Sequence, residues 1–414
     1  MSYLDNILFA IVLGIGFGYF YANVKKIIRN IHLGTDVNRK DNPKARWSNM
    51  AMIALGQSKM VKRPIAGVLH IIVYVGFIII NIELLEIIID GIFGTHRFFE
   101  PFLGAFYPFL INSFEVLAAL VVVACVIFLS RRNIIRLKRF ISNDLTGWPK
   151  TDANLILVIE IVLMGLFLLM NAADPAADFI ISSSIKPLLS NFNEHQLHTI
   201  EQSAWWIHIL GIYGFMNYLP YSKHLHIVLA FPNAYYASLE PKGKMHNMES
   251  VQNEVLYAMQ PELAPSNAAT PEKFGAKDVM DLSWKNLMDA YSCTECGRCS
   301  AACPANSTGK LLSPRKIMMD TRDRLEAVGK NIDTNGQFVD DGKTLLNDHI
   351  TIEELRACTT CNACVEECPV SISPLDIIIE LRRSLVMEES NAPAEWNGMF
   401  SNIENNFAPW KFSP

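Results

Sequence analysis

Charge is scarce in this 414-residue chain: Asp, Glu, Lys and Arg make up 19% of it, and the net charge is −5. No strongly basic region of the kind a nucleic acid requires is present, which excludes that partner. Cysteine is almost missing from the membrane-like first part, where Cys125 stands alone in an apolar run; the other eight of nine crowd into two later bursts. A secreted disulfide framework would spread its cysteines among strands and turns, so that class is set aside. The N-terminus lacks the order of a cleavable signal, because Asp5 precedes the apolar run and the lysines follow it; it reads as a retained first span. There is no evident internal repeat, which makes a repeat-built transporter a poor match.

What is present is apolar length. Half the residues are hydrophobic, and the long runs fall before residue 232. Runs of spanning length lie at 7–24, 64–92, 111–130, 153–172 and 203–230, near the twenty or so residues that a membrane helix needs. Lysine and arginine number ten in 25–63 and six in 131–150, but one each in 93–110 and 173–202. The positive-inside rule then puts the rich loops in the cytoplasm, the N-terminus outside and everything after residue 231 inside. Trp205 and Trp206 fall where the fifth span enters, as an aromatic belt expects. The segment 178–190 is too short to span and reads as an interfacial helix or cap. The expected organisation is all-α: a five-helix membrane domain (1–231), a linker (232–277), a cytoplasmic helical domain (278–390) and a C-terminal tail (391–414) suited to partner docking.

Both cysteine bursts read C-x2-C-x2-C-x3-C-P: Cys293, Cys296, Cys299 and Cys303 before Pro304, then Cys358, Cys361, Cys364 and Cys368 before Pro369. Three thiolates at this spacing wrap three corners of a [4Fe–4S] cube, and the fourth, carried off by the proline, ligates the other cube. One cluster is therefore assigned to Cys293, Cys296, Cys299 and Cys368, the other to Cys358, Cys361, Cys364 and Cys303. Structural zinc also uses C-x2-C pairs, but it does not call for the duplicated third step followed by C-P. Clusters need free thiols and a reducing compartment, in agreement with the cytoplasmic side that charge asymmetry gives. Helices are expected to open at Ser313-Pro314, at Thr351 with Glu354 as a capping box, and at Ser373-Pro374.

Histidine inside lipid is costly and usually functional. His70 in the second span and His224 and His226 in the fifth reach a similar depth on the cytoplasmic side, and imidazoles on two facing helices suit the axial positions of a b-type haem. On one continuous helix His226 returns to the face of His208, which favours His226 over His224. His208, in the outer half, marks a second haem or a proton site beside Glu83, Glu86 and Glu115. Glu160 occupies the inner half of the fourth span. Acids at these depths suit proton exchange with a quinone, and hydrogen-bonded packing is the competing account for each. Cys125 reads as a small core residue.

These residues resemble known proteins. The runs "DLSWKNLMDAYSCTECGRCSAACPANSTGKLLSPRKIMMDTRD" and "ELRACTTCNACVEECPVSISPLDIIIELRRSLVMEE" are similar to the cluster domain of heterodisulfide-reductase-related iron–sulfur proteins. "GVLHIIVYVGF" and "WWIHIL…LPYSKHLHIVLA" resemble the five-helix cytochrome b subunit of respiratory nitrate reductases and its heterodisulfide-reductase counterpart. The resemblance implies haem b at His70 and His226 and menaquinone as the membrane carrier. The diheme subunits have two histidines on the second span where this chain has one. Longer relatives, including those linking electron-transfer flavoprotein to menaquinone, continue into Cys-Cys-Gly domains, whereas Cys368 is the last cysteine here. The expectation is an electron-transfer subunit relaying electrons between the menaquinone pool and a soluble cytoplasmic partner, either a separate Cys-Cys-Gly subunit or an electron-transfer flavoprotein. The alternative is a non-catalytic anchor or redox-sensing scaffold carrying the clusters.

Overall fold

The computed structural model describes residues 3–175, 179–265 and 273–412. Among these residues there are helices and no β-strands. They fall into two compact units. The first comprises Met1–Arg29, Ser48–Pro232 and the loop Thr294–Gly297; the second comprises Asn30–Trp47, Asn233–Cys293 and Arg298–Pro414.

In the first unit, four helices are long and apolar enough to cross a membrane: α1 (Tyr3–Ile31), α2 (Pro64–Phe93), α3 (Phe106–Asn133) and α4 (Trp148–Ala173). Helix α5 (Glu194–Tyr218) follows, opened by a capping box between Asn193 and Gln196. In packing order α2 meets α3, α3 meets α4 and α4 meets α5. Ile111, Phe114 and Phe167 are fully enclosed between them. Helix α1 docks through Phe9, whose ring lies 5.5 Å from that of Trp205. Gly91 makes that fit possible, since a Cβ there would lie 2.6 Å from the Phe9 ring. Helix α2 ends at Gly94 with φ +71°, and Asp90 then accepts the Arg97 and Phe98 backbone N–H groups at 2.9 and 3.2 Å. Ser182–Ile185 and Lys186–Leu189 form two short helical turns within the segment read as an interfacial cap, and 176–178 lie outside the described residues.

The fifth apolar run departs from expectation. Instead of one helix over 203–230, α5 stops at Tyr218, tight turns occupy Leu219–Tyr221 and Lys223–Leu225, and α6 (His226–Tyr235) begins anew. Pro220 has no N–H to continue the ladder, and Ser222 is extended at φ −128° and ψ 153°. The helical phase that tied His226 to His208 is therefore wrong, because the two residues lie on different helices.

The second unit contains α7 (Trp284–Ser292), α8 (Pro314–Asn335) and α9 (Pro374–Arg383), with α8 packed on both others. The expected starts are present: Ser313 accepts from the Lys316 N–H, Thr351 and Glu354 form a capping box, and Ser373 accepts from the Asp376 N–H. Residues 30–47, which sequence alone leaves with the membrane domain, pack here. Thr35 exchanges backbone hydrogen bonds with Leu282 and Trp284 at 2.8 and 3.0 Å. The linker region contains an exposed helix, Glu249–Met259, and its residues 266–272 lie outside the described set; the tail carries a helix at Ala394–Asn406, with 413–414 outside.

Candidate redox sites

The two cysteine bursts share one backbone path. In each, a helix ends just before the first cysteine, which turns extended: Cys293 follows α7 with φ −69° and ψ 119°, and Cys358 follows Ile352–Ala357 with φ −73° and ψ 128°. Two left-handed residues come next at matching places. Glu295 and Gly297 have φ of +54° and +71°, and Thr360 and Asn362 have +56° and +60°. A short helix then carries the third cysteine, Arg298–Ala302 in one burst and Ala363–Glu367 in the other. Gly and Asn tolerate the left-handed region, but for a glutamate and a β-branched threonine it costs about 1–2 kcal/mol each. Such turns point backbone N–H groups inward around a buried anion-like centre.

None of these eight cysteines is joined in a disulfide among the described residues. Cys303, from the first burst, lines one small cavity with Cys358, Cys361 and Cys364 from the second, closed by Pro304, Leu375 and Ile378. That is the crossed set expected from spacing, and four thiols with an apolar surround suit an iron–sulfur cube. Amide N–H groups aim at the sulfurs: Thr360 donates to Cys358 Sγ at 3.4 Å and Ile372 to Cys368 Sγ at 3.3 Å. Burial, then the neighbouring Cys358, pushes the Cys364 thiol up to about 12. The Arg382 guanidinium donates to the carbonyls of Leu355 and Cys358.

In the first unit the structure brings three histidines together. The His70 and His226 rings lie 6.5 Å apart between centroids, inclined at 45°, and His224 lies 5.6 Å from His226. Two imidazoles on opposite sides of one metal, each nitrogen about 2 Å from it, place ring centres about 6 Å apart. His226 Nδ1 lies 3.0 Å from the Lys223 carbonyl, so the proton belongs on Nδ1 and the Nε2 lone pair is left for a metal. His224 packs instead on Phe215, 5.0 Å away, and its Nε2 has no hydrogen-bond partner among the described residues. The residues therefore fit a bis-histidine group.

The acids separate by what they bind. Glu86 accepts from the Phe99 N–H at 2.7 Å and from the Tyr107 hydroxyl at 2.9 Å. Glu115 accepts from Asn171 and from the backbone of Ile181 and Ser182, at 2.9 to 3.0 Å. Both carboxylates pin loops at the helix ends. Glu83 is 5% exposed, and its Oε2 has no hydrogen bond among the described residues. His208 donates Nδ1–H to the Leu163 carbonyl at 2.9 Å and packs against Phe167, not against the acids. Glu160 is half-buried on α4. Cys125 is fully buried in the α3–α4 core.

Residues 292–372 match the 4Fe-4S dicluster domain. The probable iron–sulfur-binding oxidoreductase FadF of Bacillus subtilis is 28% identical over 98% of this chain and 59% of its own length. The EtfAB:quinone oxidoreductase of Syntrophomonas wolfei is 26% identical over 91% of this chain and 54% of its own. One subunit of the ferredoxin/F420H2-dependent CoB–CoM heterodisulfide reductase from Methanosarcina acetivorans is 36% identical over 27% of this chain and 56% of its own. This chain thus spans a little over half the length of the first two relatives. No solved structure matches it. The chain combines an iron–sulfur domain with four helices of membrane-spanning length and composition, and its relatives are iron–sulfur oxidoreductases.

Sequence reasoning missed Lys223, Asp152 and Glu295. Lys223 and Glu295 form an ion pair, each at most 9% exposed, with Asp152 3.8 Å from the ammonium. The one signal available was cost: a lysine just ahead of His224 and His226 in an apolar run needs a partner.

Proposed function

We propose that this chain is a membrane electron-transfer protein that relays electrons between a soluble cytoplasmic partner and the menaquinone pool. Its groups would be two [4Fe–4S] clusters and haem b, which supply one-electron storage at separated sites. The observation that carries this reading is the approach of His70 and His226 from two different helices to the separation that one metal needs.

In this reading Cys293, Cys296, Cys299 and Cys368 hold one cluster, and Cys303, Cys358, Cys361 and Cys364 hold the other. His70 and His226 hold the haem, and the Lys223 carbonyl orients the His226 ring. Helix α5, at 25 residues and about 37 Å, makes a fifth crossing and leaves the iron–sulfur unit in the cytoplasm. Glu83 is the proton-exchanging acid toward quinone, since Glu86 and Glu115 are committed to loop backbone; Glu160 and His208 play lesser parts. The partner is an electron-transfer flavoprotein, a reading supported by the EtfAB:quinone oxidoreductase among the relatives, or a Cys-Cys-Gly protein.

The purified protein is expected to contain about eight iron atoms and the absorption of a six-coordinate b-type haem. His70→Ala and His226→Ala should each lose that spectrum while keeping the iron–sulfur iron. Zinc in place of iron, or haem retained in both variants, would defeat the proposal. An anchor or sensor would instead keep its clusters and pass no electrons from them to haem or quinol.

A further inference from the structure

The inner end of the first unit holds the buried ion pair of Lys223 and Glu295. Lys223 lies between α5 and α6 and is 9% exposed; Glu295 directly precedes Cys296 and is 4% exposed. The ammonium donates to the Glu295 carboxylate and, at 2.6 Å, to the Pro149 carbonyl. The Lys223 backbone N–H donates to Asp152 at 3.1 Å, and the Lys223 carbonyl accepts from His226 Nδ1 at 3.0 Å. Asp152 is held in turn by the Tyr218 hydroxyl. Burying such a pair gains little stability over a well-packed apolar pair, because desolvation offsets the attraction. Stability alone therefore does not account for its place. What distinguishes that place is that one residue touches the neighbour of Cys296 through its side chain and His226 through its backbone.

We propose that Lys223 is a positioning residue shared by two redox centres: through Glu295 it fixes the loop that carries Cys296, and through its carbonyl it fixes the His226 ring. The inference rests on the ligand roles proposed above for Cys296 and His226. With both groups bound, the step it would serve is the transfer of one electron from a reduced cluster, which would thereby be oxidised, to a ferric haem, which would be reduced, with no bond made or broken. Lys223 also cancels the Glu295 charge, which by itself disfavours adding an electron to an adjacent cluster.

The test is a redox titration of full-length protein in detergent, followed by electron paramagnetic resonance, with iron and haem assayed in each sample. Lys223→Met should lower the midpoint of one cluster and shift the low-spin haem signal. Glu295→Gln should raise the midpoint of the same cluster, the double variant should return toward wild type, and Lys223→Arg should stay near it. Opposite shifts that cancel are not produced by a lysine that merely packs. Unmoved midpoints in Glu295→Gln at full iron content, or shifts of one sign in both variants, would overturn the proposal. If Lys223→Met does not accumulate, Glu295→Gln and Lys223→Arg decide alone. Wild-type protein without cluster iron or haem would instead remove the ligand assignments beneath it.

Discussion

Single residues in this protein divide by what their polar atoms already do. Glu86 and Glu115 commit their oxygens to backbone N–H groups of loops, whereas Glu83 keeps one oxygen without a partner among the described residues. Under the proposed function, Glu83→Gln is therefore expected to slow quinol-driven haem reduction at least about tenfold with haem content unchanged, a general acid–base loss. Glu86→Gln and Glu115→Gln should chiefly lower yield and melting temperature. Equal kinetic losses in all three would erase the distinction. In the second unit Arg324 is fully buried and bonds Asp278 at 2.7 Å and Asp341 at 2.6 Å. Burial opposes its charge, but the bonds to Asp278 and Asp341 outweigh it and hold the guanidinium above its usual pKa. Removing it leaves Asp278 and Asp341 with only their backbone donors, so Arg324→Ala should cost about 1–3 kcal/mol, read as early thermal unfolding of this unit. None of these partnerships is visible in sequence. The backbone donors to Glu115 lie 66 and 67 positions away, and nothing in the residue types names the pairing.

At the scale of elements, sequence is most legible where local chemistry decides. Ser313-Pro314, Thr351 with Glu354, and Ser373-Pro374 open helices because their side chains bond N–H groups within one turn. The first four apolar runs are helices for an equally local reason, length and composition. The fifth run is harder to read, because a proline inside an apolar run is compatible with a mere kink, and here the chain makes two tight turns instead. The left-handed residues of the cysteine bursts are half legible: Gly297 and Asn362 announce them, Glu295 and Thr360 do not. Docking of α1 depends on a pair far apart in sequence, Phe9 on Gly91. Gly91→Leu should displace the Phe9 ring and cost about 1–3 kcal/mol, seen as a lower melting temperature in detergent. Gly14→Leu, with open space around its Cβ position, serves as the neutral control.

For the whole molecule, the arginine and lysine imbalance between loops and the proposed fifth crossing make a joint statement about sidedness. Alkaline phosphatase fused within 95–105 is expected to be active and the same enzyme fused near 240 inactive, with green fluorescent protein giving the reverse. Matching activity at both places would mean an even number of crossings and an iron–sulfur unit on the other side.

The cavity shared by Cys303 and the three cysteines of the second burst also bears on how the protein is made. Neither burst supplies a full set of four thiols by itself there, so the cube proposed for that cavity would have no complete home until the ribosome had released both. Insertion of that cube is then expected to follow synthesis of the second burst rather than to begin on the first.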